Sequence, residues 1–254
     1  IPYRSAVGAL MYAMVGTRPD IAFAVTTLSQ YGSNPGLEHW SAAKRVLRYL
    51  NGTLDHQLVY NGADMAKSGF IGYCDADWGS NVDDRRSITG YVFLLAGGAV
   101  SWQSKKQPTV ALSSVEAEYM SATQATKEAV WLRSFLTQLG VVNVSAPSTI
   151  LSDSQGSIAL GKNPEYHSRT KHIDIQHHYV REQVLCGSVI FSFVSTSVMA
   201  ADVLTKPLTK DKHREMIKLM GIKSISSGSV GEHRYSLSTD STDKMASPSH
   251  DLNG

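Results

Sequence analysis

Cysteine is almost absent from this sequence. The two present, Cys74 and Cys186, supply neither a disulfide framework nor the paired spacing of a zinc site, and they suit a reducing compartment. An intracellular protein is therefore expected. Long apolar runs are missing too. The longest, Tyr91 to Val100, is broken by Gly97 and Gly98 and falls far short of the ~20 residues that cross a bilayer, so no membrane partner is expected. The first residue is Ile1, and no charged stretch leads into an apolar one, so no secretory leader is expected and the sequence reads as a piece of something longer. Neither sign of charge dominates: 24 Lys and Arg stand against 22 Asp and Glu. Net charge thus decides nothing about a partner. What is present is a 42% hydrophobic content over 254 residues, enough for one ordinary domain with a sizeable core and additional material beside it.

Periodicity divides the chain. From Ile1 to about Tyr60 the pattern is helical: Pro19 opens a segment carrying Ile21, Ala24, Val25 and Leu28 on one side. Gly36 to Leu50 repeats the arrangement, with Trp40, Ala43, Leu47 and Leu50 on one face and Lys44, Arg45 and Arg48 largely off it. After Asn61-Gly62 the period changes. Ser68–Tyr73, Thr89–Leu95 and Ala99–Trp102 read as three strands of an antiparallel meander, with turns at Asp83-Asp84-Arg85-Arg86 and Gly97-Gly98. Ser113-Ser114 caps a long helix to about Leu139, which Gly140 stops. Ser148–Ser152 is a fourth strand leading into a short helix that fades near Gly161-Lys162-Asn163-Pro164. A helix over Ile173–Leu185, a fifth strand over Val189–Val194, and a last helix from Ala200 that Pro207 interrupts complete the pattern. A strand-helix-strand crossover makes a parallel pair, so the expected fold class is α/β: a mixed five-stranded sheet flanked by helices, with an N-terminal helical segment. From about Ser224 the composition turns to Ser, Gly, Asp, Thr and His, which predicts a disordered polar tail over 224–254.

Several carboxylates fall where this pattern makes them costly. The first strand runs into Asp75-Ala76-Asp77, and the fourth ends at Asp153. Either acid could cap a turn or a helix, but two strands of one sheet ending in Asp is the place where ligands gather in such folds. On the long helix, Val115, Tyr119, Ala122, Ala129 and Leu132 define the inner face. At ~100° per residue, Glu118 lies about 50° from its centre and Glu116 about 110° away. Glu118 is thus expected to point toward the sheet, where an ionised acid needs a cation or hydrogen bonds. Asp202, in Ala200-Ala201-Asp202-Val203-Leu204, reads either as a first-turn helix charge or as a fourth member of the group. Convergent acids call for hard divalent cations, and an all-oxygen set selects magnesium or manganese. Two such ions can activate water and stabilise the leaving oxygen of a phosphodiester.

The remaining polar clusters carry less. His167, His172, His177 and His178 have no cysteine or acidic spacing of a zinc site beside them and read as solvated or core histidines. Asp174 reads as a first-turn helix charge. Arg169 and Lys171 in "HSRTKHIDIQHHYVR", Lys105 and Lys106 after the third strand, and Lys44 and Arg48 on the basic helix face are candidates for meeting phosphate.

In order along the chain, "YRSAVGALMYAMVGTRPDIAFAV", "GYCDADWGSNVDDRRSITGYVFLLAGGAVSWQSKKQPTVALSSVEAEYMSATQATKEAVWLR", "SDSQGSIAL", "HSRTKHIDIQHHYVREQV" and "ADVLTKPL" resemble the C-terminal part of the Pol polyprotein of copia-type retrotransposons, where reverse transcriptase passes into ribonuclease H. The resemblance covers most of Tyr3 to about Leu219. It implies a ribonuclease H-like domain over 68–220, a thumb or connection remnant of reverse transcriptase over 1–60, and metal-binding catalytic acids Asp75, Glu118, Asp153 and Asp202, with Asp77 the alternative to Asp75. It further implies two magnesium (or manganese) ions, an RNA–DNA hybrid as substrate, and the remainder of Pol as partner. The implied setting is the cytoplasm, in a virus-like particle, and the nucleus. The order Asp, Glu, Asp, Asp differs from that of a recombinase such as an integrase, whose last Glu follows the second Asp. Many cellular relatives carry a histidine in the loop before the last acid, whereas Val194-Ser195-Thr196-Ser197-Val198 has none. No Tyr-x-Asp-Asp turn precedes Asp75, so polymerase activity is not expected of this sequence. A hybrid-binding or host-retained remnant that does not cut is the alternative reading.

Overall fold

In the computed structural model, residues 2–62, 69–141, 146–162 and 171–225 are described, with side chains of 162 and 171–177 excepted. The candidates His167 and Arg169, and the tail from 226 onward, lie outside the described residues. So do the side chains of Lys171, His172, Asp174 and His177.

Three helices come first: α1 (Tyr3–Gly16), α2 (Ala22–Ser29) and α3 (Leu37–Asn51), with Pro19–Ile21 forming a 3-10 turn into α2. They close around Tyr3, Val7, Leu10, Ile21, Val25, Leu28, Ala43 and Val46. Arg18 and Asp20 form an enclosed ion pair at 2.8 Å. Tyr49 Oη donates to Asp20 at 2.7 Å, and Arg18 reaches Thr53 Oγ1 at 2.7 Å. Trp40, Ala43 and Leu50 of the expected apolar stripe pack inward. Val46 and Tyr49 face inward, and Leu47, expected inside, is exposed.

The strands are β1 (His56–Leu58), β2 (Ile71–Ala76), β3 (Ile88–Leu95), β4 (Gly98–Lys106), β5 (Ser148–Ser152), β6 (Val189–Phe193) and β7 (Ile222–Ser224). Five make one mixed sheet in the order β4-β3-β2-β5-β6. The β2–β3 and β3–β4 pairs are antiparallel, and the β2–β5 and β5–β6 pairs are parallel. The β3–β4 hairpin turns on Ala96 and Gly97, both at positive φ (53° and 79°), the conformation a two-residue hairpin loop favours. Two boundaries move outward from the sequence pattern. Strand β2 continues through Asp75, which pairs with Gly90, so this acid sits in the ladder rather than beyond it. Strand β4 extends to Lys106 opposite Ile88, so Lys105 and Lys106 lie within a strand and not after it. The little β1–β7 ribbon is a separate antiparallel pair that periodicity did not reveal.

The long helix α4 (Ser114–Gln138) covers one sheet face with α5 (Gln155–Lys162) and α6 (Lys171–Leu185). Tyr119, Ala122, Ala125, Ala129 and Leu132 pack there on Phe70, Cys74, Phe93 and Ile150. On the other face lie α7 (Asp202–Thr205) and α8 (Lys210–Leu219), with Val203, Leu204, Met216 and Met220 against Val92 and Ala99. Pro207 lies between these two helices, where it cannot continue α7. The helical segment joins this second face. Ala22 enters its core, Trp102 Nε1 donates to Met14 O at 3.0 Å, Thr26 Oγ1 donates to Ser104 O at 3.0 Å, and His213 Nε2 donates to Asp20 O at 3.2 Å. No helix among the described residues is long and apolar enough to cross a membrane.

Candidate active site

Parallel pairing of β2 with β5 brings the carboxyl ends of both strands to the same edge of the sheet. Asp75 arrives on β2, Asp153 one residue past the end of β5, and Glu118 from the second turn of α4. Each offers a carboxylate oxygen such that all three lie within 4.8 Å of one another. Asp202, the first residue of α7, lies outside that threesome. It joins it through Lys206, whose Nζ is 2.9 Å from Asp202 Oδ1 and 3.5 Å from Asp75 Oδ2.

The neighbouring acids are sorted by hydrogen bonding. Glu116 is occupied at the helix start: its carboxylate accepts from Leu112 N at 2.7 Å, and the Ser113 cap Oγ accepts from Glu116 N at 3.1 Å. Asp77 accepts from the backbone N–H groups of Ser80 and Ile88 and so fixes the turn after β2. Of Asp75 and Asp77, it is Asp75 that lies with Glu118 and Asp153. Asp153 does not cap α5, because Ser154 does: Ser154 Oγ accepts from Ser157 N at 3.2 Å and its carbonyl accepts from Ile158 N at 3.1 Å. That leaves Asp153 free to face the group.

Each acid is held. Thr205 Oγ1 donates to Asp75 Oδ2, and Ser121 Oγ donates to the Asp75 carbonyl at 2.7 Å. Thr196 Oγ1 donates to Asp153 Oδ2 at 2.7 Å, and Lys212 Nζ pins the same loop by donating to the carbonyls of Thr196 and Ser197 at 2.9 and 2.7 Å. The segment that lacks a histidine thus contacts the site through a threonine.

Burial and like charge dominate the electrostatics. Burial, then the charges of Asp75 and Asp153, raises the Glu118 carboxyl to about 9. Burial also raises Asp75, to about 6, with Asp202 and Asp153 adding to it against the opposing pull of Lys206 and Thr205. Asp202 is raised by burial and pulled back by Lys206. Burial works against the Lys206 charge, but Asp75 and Asp202 outweigh it and raise its pKa. Behind the site, burial and then Glu118 push the Cys74 thiol well up, so it stays neutral. Glu118 Oε2 is buried with no hydrogen-bond partner. A buried oxygen left unpaired among acids is the observation that fits a cation, and the all-oxygen donor set fits a hard divalent one.

The basic candidates separate. Lys44 and Arg48 are exposed on α3, with Lys44 Nζ 6.0 Å from the centre of the Trp40 ring. Lys105 is exposed at the end of β4, whereas Lys106 is paired with Asp84 at 2.7 Å and donates to Gln30 Oε1 at 3.0 Å. Sequence reasoning missed Lys206, Thr205 and Thr196. The four-residue spacing of Asp202 and Lys206 was the available signal, since such residues stack on one helix face.

The sheet order, the antiparallel first half, the parallel second half and the carboxylates at the shared strand edge define a ribonuclease H-like fold. A ribonuclease H1 isolated from compost by a metagenomic approach is similar to it with a TM-score of 0.41 and 16% identity, over 54% of this chain and 91% of that one. No family model matches the sequence. The Pol polyprotein of transposon TNT 1-94 from Nicotiana tabacum is 48% identical over 224 residues, 88% of this chain and 16% of that polyprotein. The secreted RxLR effector protein 161 of Plasmopara viticola is 59% identical over 132 residues, 52% of this chain and 92% of that protein. The chain belongs to the Pol polyproteins of copia-type retrotransposons. It spans about one sixth of the length of relatives such as TNT 1-94, at 16% of that polyprotein.

Proposed function

We propose that this chain is the ribonuclease H part of a retrotransposon reverse transcriptase, hydrolysing the RNA strand of RNA–DNA hybrids to leave a 3′-hydroxyl and a 5′-phosphate. The observation that carries the reading is the convergence of Asp75, Glu118 and Asp153 within 4.8 Å, from two strand ends and a helix, with Glu118 Oε2 buried and unpaired. Asp75, Glu118, Asp153 and Asp202 would hold two magnesium or manganese ions. Bound there, such ions supply an activated water and neutralise charge on the phosphate.

The chain's own residues prepare that chemistry. Thr205 and Ser121 fix Asp75 from opposite ends, side chain and carbonyl, so its oxygens do not rotate away. Thr196 orients Asp153 by holding Oδ2, and Lys212 fixes the loop that carries Thr196. Residues 68–220 form the nuclease in this reading and 1–60 the thumb or connection remnant; of the polar tail expected over 224–254, Ser224 itself ends β7 opposite His56. The exposed Lys44, Arg48 and Lys105, with Arg169 and Lys171, would meet the hybrid's phosphates, and little base specificity is expected because 2′-hydroxyls and shape carry such recognition. The remainder of Pol would be its partner within an intracellular particle.

The test is cleavage of a labelled hybrid with and without magnesium, beside Asp153→Asn. Magnesium-dependent cutting of the RNA strand alone, reduced at least ~100-fold in the variant, is the expected outcome. A folded protein that binds the hybrid and never cuts it would instead identify a silent remnant.

A further inference from the structure

Lys206 divides the acidic group into two unequal halves. On one side, Asp75, Glu118 and Asp153 approach within 4.8 Å, and Glu118 Oε2 has no partner. On the other, the pair Asp75 and Asp202 is bridged by a cation through ion contact, with Lys206 Nζ 2.9 Å from Asp202 Oδ1 and 3.5 Å from Asp75 Oδ2, although Asp202 Oδ1, like Glu118 Oε2, is buried and lacks a well-aligned hydrogen bond. Lys206 comes one turn after Asp202, and its neighbour Thr205 donates to the same Asp75 oxygen, so the bridge is built into the local backbone. Its side chain remains 35% exposed, which leaves it room to swing into solvent without opening the core.

We propose that Lys206 is a resident counter-cation that makes divalent-ion loading sequential: the Asp75–Glu118–Asp153 half accepts an ion first, and the Asp75–Asp202 half accepts one only when the ammonium is displaced. This deepens the proposed nuclease reading and rests on it. Lys206 is a positioning residue here, acting through the two acids it holds. Its charge stabilises the ion-free site, where the carboxylates would otherwise repel. The same charge competes with any second cation for the same oxygens.

The experiment is a manganese titration of the full chain, followed by isothermal calorimetry and by the electron paramagnetic resonance signal of free manganese. Wild type is compared with Lys206→Gln and Lys206→Arg, with circular dichroism confirming the fold of each. Two binding steps are expected in wild type, the weaker one tightening by about tenfold in Lys206→Gln. The tighter step should stay within about twofold, and Lys206→Arg should resemble wild type. A variant that was merely misfolded would loosen both steps, so tightening is not a structural side effect. An unchanged or weakened second step in Lys206→Gln overturns the inference and leaves the nuclease reading standing. No binding in any of the three proteins would overturn both.

Discussion

Replacing Glu118 with Gln should stabilise the metal-free protein. Burial and two neighbouring acids move this carboxyl from an ordinary 4.5 to about 9. Below pH 4.5 Glu118 is protonated whether folded or unfolded, so no penalty exists. As pH rises, the unfolded acid ionises freely while the folded one keeps its proton, and stability falls until pH passes the folded value. Each pH unit of that interval costs ~1.4 kcal/mol, so Glu118 withholds about 3 kcal/mol at pH 7. Glu118→Gln keeps the shape and removes the ionisation. At about 2–4 °C per kcal/mol for a chain of this size, the variant should melt ~6–12 °C above wild type in EDTA at pH 7. The assay is thermal unfolding from pH 5 to pH 8. The gap should widen across that range, and added magnesium should raise wild type more than the variant. A variant that melts no higher than wild type in EDTA, or a gap that stays flat with pH, would refute the account of Glu118 as an acid kept at the site against its own electrostatics.

Other expectations follow from neighbouring geometry. A Cβ on Gly90 would meet Thr205 Cγ2 at 2.6 Å and Leu204 Cβ at 2.8 Å, so Gly90→Ala should push α7 off the sheet, cost about 1–3 kcal/mol and lower cleavage by displacing Asp202. Denaturant unfolding beside a cleavage assay checks both effects. Removing Lys44 and Arg48 together should weaken hybrid binding at low salt and flatten its dependence on log salt by about 1–2 units, with cleavage of bound hybrid little changed. A salt titration by fluorescence anisotropy reads this directly.

How much was legible in the sequence varies with how local the determinant is. Ser148–Ser152 is a strand over the expected residues, and the Ser113 cap and Gly140 stop frame α4 as expected, because hydrophobic period and capping chemistry act within a few residues. The inward turn of Glu118 followed from helix geometry alone, and Glu116 found its partner within four residues. Non-local features stayed hidden. The β1 and β7 strands have three residues each and pair across most of the chain, so neither carries a periodicity of its own. Leu47 fits an apolar stripe by spacing with Trp40, Ala43 and Leu50, yet it alone of the four is exposed, while Val46 and Tyr49, the latter bonded to Asp20, pack inward beside the other three. Lys206 was invisible as part of the site because its meaning depends on Asp75, far behind it in sequence and adjacent only through the sheet. His167 and Arg169 and the side chains of His172 and His177 lie outside the described residues, whereas His178 is exposed on α6.

The second core also imposes an order of assembly. Helices α1 to α3 leave a ribosome working at about 5–20 residues per second before the strands they cover. The meander follows, but the face under Val92 and Ala99 stays open until Val203, Leu204, Met216 and Ile222 are made. The β1–β7 ribbon joins His56 to Ser224 and closes last of all. Until then the rear sheet face is covered only in part, by Ala22 and its neighbours, and this surface, rather than the acidic edge, is where a chaperone would find its longest opportunity.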